Sequence, residues 1–351
     1  MRLVITGGAG FVGSSLAVRL REALGAEVVC LDNLKRRGSE LSLPRLKRHG
    51  ITFVHGDVRL WDDLAALPPA DVLLECSAEP SVLAGNQGQG RYLVDTNLVG
   101  AVNCCEWARQ AGAAVVFLST SRVYPYDRLR QAPLITGETR LLWQGPNLPG
   151  AGPEGVSEDF PLPGRRSLYG ASKLAAELLL VEYADMYGFP YVINRCGVIT
   201  GPWQFGKTDQ GVFMYWLLQH YLRSPLQYIG YGGAGKQVRD LLHVDDLAEL
   251  LARQITRLDV ARHKTYNVGG GATNSLSLLE ATDLCRSLTG HTVPIAPVPE
   301  ERWADIPWYV SDCNRVEADL GWQPQRTVPQ TFTEMFDWIR EYREQLLSSL
   351  R

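Results

Sequence analysis

Leu3-Val4-Ile5-Thr6-Gly7-Gly8-Ala9-Gly10-Phe11-Val12-Gly13 opens the chain and decides its fold class. A short continuous apolar run meets glycines at once, and an apolar helical pattern then continues through Leu20. Glycines at 7, 10 and 13 permit a tight turn, close approach of backbone to a ligand, and close packing of helix on strand. A helix starting there aims its amide groups and positive dipole end at a pyrophosphate. The spacing is GxxGxxG rather than GxGxxG, so its weight comes from context, a strand before it and a helix after it.

Working outward, Glu27-Val28-Val29-Cys30-Leu31 is a second apolar run, and Asp32 ends it 19 residues beyond Gly13. A carboxylate there accepts the ribose hydroxyls of NAD and repels a 2′-phosphate. Arg36 and Arg37 follow closely, which leaves NADP as the alternative. Further runs stand at 51–54, 71–74, 114–118 and 191–193, separated by helix-length segments. Short, β-branched, continuous runs of this kind are strands buried on both faces, so the expectation is a doubly wound α/β fold with a parallel sheet. Residues 126–166 are rich in Pro and Gly and read as a long excursion, either functional or mobile. Beyond residue 200 the rhythm is irregular and aromatic, with Trp203, Phe205, Phe213, Tyr215, Trp216, Tyr221, Tyr228 and Tyr231. This reads as a smaller lobe packed on the sheet and forming much of a pocket. The expected division is a dinucleotide-binding domain over 1–200, with the insertion at about 126–166, and a substrate lobe over 201–351 interleaved with it.

Composition narrows the function. The 351 residues carry 35 Lys+Arg and 38 Asp+Glu, a net charge of −3, which argues against a dedicated nucleic-acid binder. No apolar run reaches the length of a membrane span, and glycines come too early for a secretory signal. Seven scattered cysteines, an odd count without paired spacing, suit free thiols in a reducing cytoplasm and argue against a zinc site.

Tyr169-Gly170-Ala171-Ser172-Lys173 sets a Tyr and a Lys four apart at the start of an amphipathic helix, on one face. A phenol ionises near pH 10, and a neighbouring ammonium lowers that. Tyr169 is thus a candidate base for a hydroxyl proton. The fifth run ends Ser119-Thr120-Ser121-Arg122, and hydroxyls at the carboxyl end of a parallel strand face the ligand crevice. His243 with Asp245 and Asp246 suggests metal ligands, yet the spacing reads better as the cap and first turn of a helix, with no metal.

Taken together the chain resembles the extended short-chain dehydrogenase/reductase family, the nucleotide-sugar epimerases and dehydratases. The resemblance rests on TGGAGFVG at 6–13, LDNL at 31–34, HGDV at 55–58, DTNLVG at 95–100, YGASK at 169–173 and QVRDLLHVDDLA at 237–248. It implies a Rossmann-type NAD-binding sheet and a smaller C-terminal substrate-binding lobe. Gly7, Gly10 and Gly13 would hold the pyrophosphate, with Phe11 and Val12 in the same turn. Asp32, with Asn33 beside it, would take the adenosine ribose, and Asp57 with Val58 the adenine. Ser77 and Ala78 would line the cofactor cleft, with Asn97 nearby. Thr120, Tyr169 and Lys173 would form the catalytic triad, the last two also touching the cofactor. Glu79, Arg122, Val198 and Gln210 would meet the sugar, and Arg239 and Arg302 the substrate diphosphate. Helices around 94–110 and 171–187 pair two subunits in this family, which implies a homodimer.

Within the family, STSRVY at 119–124, QFGKTDQG at 204–211, GKQVRDLLHVDDL at 235–247 and NSLSLLE at 274–280 resemble the CDP-tyvelose epimerase type, which implies transient oxidation and re-reduction at carbon 2. UDP-hexose or UDP-uronate 4-epimerisation is the alternative, followed by a dehydrogenase or reductase. Dehydratases of the family place an Asp-Glu pair after the active-site Thr, where this chain has Ser121-Arg122. A non-catalytic NAD-binding regulator would not need Tyr169 with Lys173.

Overall fold

The six apolar runs pair side by side, and a seventh strand joins them. The computed structural model describes residues 1–86, 88, 90–205 and 210–350. Strands β1 (Arg2–Thr6), β2 (Glu27–Asp32), β3 (Thr52–His55), β4 (Val72–Glu75), β5 (Ala114–Thr120), β6 (Tyr191–Cys196) and β7 (Lys264–Val268) form one parallel sheet, in the order β3-β2-β1-β4-β5-β6-β7. The doubly wound order reverses between β1 and β4, and ligands of such sheets bind outside the carboxyl ends at that point. β7 escaped the sequence reading because polar Thr265 and Asn267 interrupt its apolar run, although Asn267 is as buried as Tyr266 and Val268.

Helices cover both faces. On one side α1 (Phe11–Leu24) and α4 (Val244–Thr256) share a core in which Leu16 and Leu20 meet Leu247, Leu250 and Leu251. On the other, α2 (Gly100–Ala111) and α3 (Leu168–Tyr187) share Cys104, Cys105 and Trp107 with Ala176 and Leu180. Ser167 caps α3 by accepting the Gly170 amide at 3.2 Å, and Gly188 ends it with φ 75°.

The excursion over 126–166 is folded rather than loose. It forms a hairpin of Leu134–Thr136 with Leu141–Trp143 and a shorter ladder of Ala151–Gly152 with Gly155–Val156. Its Phe160 is buried with Tyr124, Trp308 and Tyr309, and Trp143 packs edge-on to Trp308 at 5.3 Å. The remaining lobe builds a second sheet from Val198–Thr200, Val238–His243, Ser275–Ser277 and Trp308–Tyr309, over a core containing Trp216, Phe332 and Trp338.

A buried charge network ties these parts together. Glu177 on α3 takes Arg195 of β6 at 2.7 Å and the Ser119 hydroxyl of β5. Arg195 reaches the Tyr124 hydroxyl at 3.3 Å, which donates to Asn267 of β7 at 2.7 Å, and Asn267 donates to the Val156 carbonyl of the insertion. Breaking one partner of a buried pair strands the other charge, so Glu177→Leu is expected to cost about 3–5 kcal/mol in urea unfolding. Adding Arg195→Met should return part of that loss.

Candidate active site

Two cavities open at the carboxyl ends of the sheet, of about 420 Å³ and 650 Å³, and Phe11, Val12, Cys76, Ala78, Pro80, Gln204, Gln210 and Gly211 wall both. The smaller lies over the glycine turn. Gly7 has φ 64°, and a Cβ there would come within 2.8 Å of the Cys76 carbonyl oxygen. A Cβ at Gly13 would come within 2.2 Å of the Gly7 carbonyl oxygen. The turn therefore requires glycine, and it leaves a cradle in front of α1. Asp32 stands at the cradle's side, its carboxylate accepting the Ala9 amide at 3.1 Å and the Leu34 amide at 2.8 Å, while burial pushes its ionisation up. Gly10, Asn33, Val58, Ser77 and Glu79 also line this cavity, with Lys35, Arg36 and Arg37 beyond Asp32. A glycine cradle at a helix start beside a strand-end carboxylate fits a dinucleotide.

Three expected residues behave differently. Asp57 turns its carboxylate to Arg59 at 2.6 Å and Asn33 at 2.9 Å, while Gly56 and Val58 form the wall. Burial pushes the Asp57 ionisation up, but these partners outweigh it and hold the group at about 2. Asn97 is buried in a wide helical turn, Asp95–Val99, and lines neither cavity. Its amide accepts the Glu79 N–H at 2.7 Å and donates to the Glu79 carbonyl and the Ser172 hydroxyl, binding the loop after β4 to α3. Glu79, expected at the sugar, lies in the smaller cavity instead. Short polar side chains at a strand end meet backbone as readily as ligand, and sequence spacing cannot distinguish the two.

The larger cavity gathers Thr120, Arg122, Tyr169, Lys173, Val198, Gln210, Arg239 and Arg302, which come from β5, α3 and the second lobe. Tyr169 is close to Thr120 and Lys173; burial raises its ionisation above the ordinary value, and Lys173 and Thr120 oppose that rise. The Thr120 hydroxyl also accepts the Arg122 amide at 3.2 Å. Burial and the neighbouring Arg239 charge pull the Arg122 guanidinium down to about 10, and its side chain donates to the Ala304 carbonyl at 3.4 Å. Arg239 is anchored by Asp305 at 3.0 Å and by the Ile306 carbonyl at 2.7 Å. Among the described residues Asp305 is the acid that lines this cavity, and it is paired. Gln210 presents an unpartnered amide oxygen; part of its motif, residues 206–209, lies outside the described residues.

The sequence reading assigned no site role to Glu75, Cys76, Gln227 and Asp305. Glu75 ends β4 as Thr120 ends β5, but it lines neither cavity and turns to Lys173 instead, which strand-end position alone does not reveal. His243 caps α4, its Nδ1 accepting the Asp245 amide at 3.1 Å, and burial pulls its ionisation down to about 4. Asp245 and Asp246 are held by Arg19 and Arg326 at 2.6 Å each, so the cluster is a structural ion-pair network. No helix among the described residues is long and apolar enough to cross a membrane.

Comparison with known proteins agrees with this geometry. The chain is 30% identical over 349 residues to a CDP-paratose 2-epimerase of Salmonella typhi, covering 96% of this chain and 99% of that protein. It is also 30% identical over 353 residues to a dTDP-glucose 4,6-dehydratase of Streptomyces antibioticus, covering 98% and 93%. A UDP-glucose 4-epimerase of Thermus thermophilus, solved in complex with NAD, superposes with a TM-score of 0.76 at 26% identity, covering 97% of this chain and 99% of that one. Residues 3–269 match the NAD dependent epimerase/dehydratase family, and with its parallel sheet and glycine cradle this chain belongs to that family of NAD-dependent nucleotide-sugar enzymes.

Proposed function

We propose that the protein epimerises a CDP-linked sugar of the paratose/tyvelose type at carbon 2, by transient oxidation to a keto-sugar and re-reduction. The observation that carries this reading is the larger cavity itself. Thr120, Tyr169 and Lys173 converge there, a guanidinium follows Thr120, and the lining acid, Asp305, is engaged by Arg239. Eliminating water needs a free acid and base beside the sugar, and among the described residues no unpaired acid lines this cavity, which disfavours a dehydratase. The full-length likeness to a CDP-paratose 2-epimerase supports the choice of sugar and carbon.

Each residue has a task under this reading. The glycine turn and Asp32 hold NAD, which supplies reversible two-electron oxidation of the reacting carbon. Thr120 and Tyr169 orient the sugar hydroxyl, and Tyr169 removes its proton and later restores it. Lys173 lowers the ionisation of that phenol electrostatically. Arg239 and Arg302 clamp the diphosphate, and Arg122 spans the space between clamp and base. Val198 and Gln210 bound the sugar. The cavity of about 650 Å³ leaves room for the keto-sugar to present its other face.

The same reading places the substrate lobe mostly in residues 201–351, interleaved with the sheet domain through α4 and β7. It also pairs two copies through α3, where Leu178, Met186 and Tyr187 are exposed by 61%, 72% and 48%. The free cysteines fit a cytoplasmic location.

Incubating the protein with CDP-paratose, CDP-tyvelose and a panel of UDP-hexoses in D2O, followed by NMR, tests the assignment. A 2-epimer without solvent deuterium is expected. A 4-epimer of a UDP-sugar would move the chemistry to carbon 4, and a 4-keto-6-deoxy product would establish dehydration. Tyr169→Phe should bind NAD normally and lower turnover about 10³-fold. Because the base works deprotonated, wild-type turnover should fall as pH drops through the ionisation of Tyr169. Arg122→Met is expected to lower kcat/KM by about 10- to 100-fold, the worth of a charged hydrogen bond, with NAD affinity unchanged in a fluorescence titration.

A further inference from the structure

Lys173 is a cation with 2% of its side chain exposed, and its counter-charge comes from a strand that the sequence motifs leave out. Glu75, at the end of β4 and equally buried, places Oε2 3.2 Å from the Lys173 ammonium. The other carboxylate oxygen accepts the Ser77 hydroxyl at 2.6 Å, and Ser77 lies 3.2 Å from the Thr6 hydroxyl of β1. The carboxylate is thereby fixed by the two strands that flank the switch point. The ring of Phe117 lies 3.9 Å from the ammonium and contributes a cation–π contact.

The phenol and thiols around Lys173 carry no negative charge at neutral pH. Tyr169 stands on the same helix, Cys76 just beyond β4, Cys104 on α2 and Cys196 on β6. Burial pushes Cys196 up to about 12 and raises Cys76, Cys104 and Tyr169 above their ordinary values. Glu177, one helical turn along α3, is taken by Arg195 and Ser119. Arg122, which faces Tyr169, adds positive charge.

We infer that Glu75 is a positioning residue for catalysis: its carboxylate anchors the Lys173 ammonium beside Tyr169. The inference rests on the catalytic reading of Tyr169 and Lys173. A lysine head is a point charge on a flexible four-carbon stem, so its direction has to be set by a partner. A charge this deeply buried also needs compensation. Glu75 does both. It lies behind the ammonium in the strand layer and leaves the cavity side of Lys173 to Tyr169 and the cofactor.

Glu75→Gln keeps the size and the acceptor for Ser77 but removes the charge. In the NAD-loaded enzyme converting CDP-paratose and CDP-tyvelose, the acidic limb of kcat is expected to move to higher pH by about one unit or more, since a buried ammonium without its counter-charge swings away or gives up its proton, and Tyr169 then loses the positive field that favours its phenolate. Turnover at pH 7 should fall about tenfold and recover at higher pH. Glu75→Asp should return the limb most of the way. Thermal unfolding of the protein without substrate gives an independent reading: Glu75→Gln should lower Tm in the wild-type background and raise it in the Lys173→Met background, where the carboxylate has no partner. If Glu75→Gln alone folds poorly, the double variant Glu75→Gln/Lys173→Met should turn over as fast as Lys173→Met. An unmoved pH limb in a folded Glu75→Gln protein, a limb moved to lower pH as loss of the carboxylate's repulsion alone would give, or a further loss in the double variant, would overturn the inference. Full turnover in Lys173→Met would instead remove the catalytic reading beneath it.

Discussion

Where the strand order of a parallel sheet reverses, the crossovers leave in opposite directions and no connection covers the strand ends. In this protein that constraint falls between β1 and β4. The chain leaving β1 passes through the glycine turn into α1, and the chain leaving β4 passes through Cys76 and Ser77 toward α2. The gap between them is the cleft. A side chain on Gly7 would close it against the Cys76 carbonyl, so the turn and the loop after β4 fit each other as one surface. Each candidate functional group is placed relative to this gap: Asp32 beside it, Glu75 beneath it, Thr120 on the next strand along.

Helix α3 brings charge to the gap. Tyr169, Lys173 and Glu177 recur every four residues, so one face carries all three inward. Lys173 meets Glu75 of β4, and Glu177 meets Arg195 of β6. Each buried charge thus finds its counter-charge on a different strand of the sheet. Such pairs add little net stability when complete but are costly to break, so they act mainly by fixing register. The same helix presents apolar Leu178 and Met186 outward, so its two sides serve different purposes.

The second lobe and the insertion close the site from above. Asn267 of β7 donates to the Val156 carbonyl, and Glu158 accepts the Asn267 amide at 2.7 Å, so the insertion is hydrogen-bonded to the edge of the sheet. Trp143 on Trp308 and Lys236 on the Gly137 carbonyl fasten its hairpin to the lobe that carries Arg239. The insertion lies in the sequence directly between Thr120 and Tyr169, and its packing helps bring those two residues into one cavity.

The amino-acid sequence by itself determined the local matters. Six strands were legible as short apolar runs, five of them because they are buried along the sheet and the edge strand β3 through Ile51, Phe53 and Val54. The glycine turn was legible because only glycine tolerates that backbone, and the Tyr169–Lys173 face because helical spacing is local. The edge strand β7 was not, since polar Thr265 and Asn267 break its apolar run, and the burial of Asn267 rests on partners distant in sequence. Nor were the second partners of polar side chains: Asp57 with Arg59, Asn97 with the Glu79 backbone, Lys173 with Glu75. The last two join residues 18 and 98 positions apart. A carboxylate or amide reads the same in sequence whether it will face a ligand or another side chain. Only the folded packing decides which, around α3 for Asn97 and Lys173 and within the loop after β3 for Asp57, because in a buried site each polar group must be satisfied by whatever the fold places within hydrogen-bond reach.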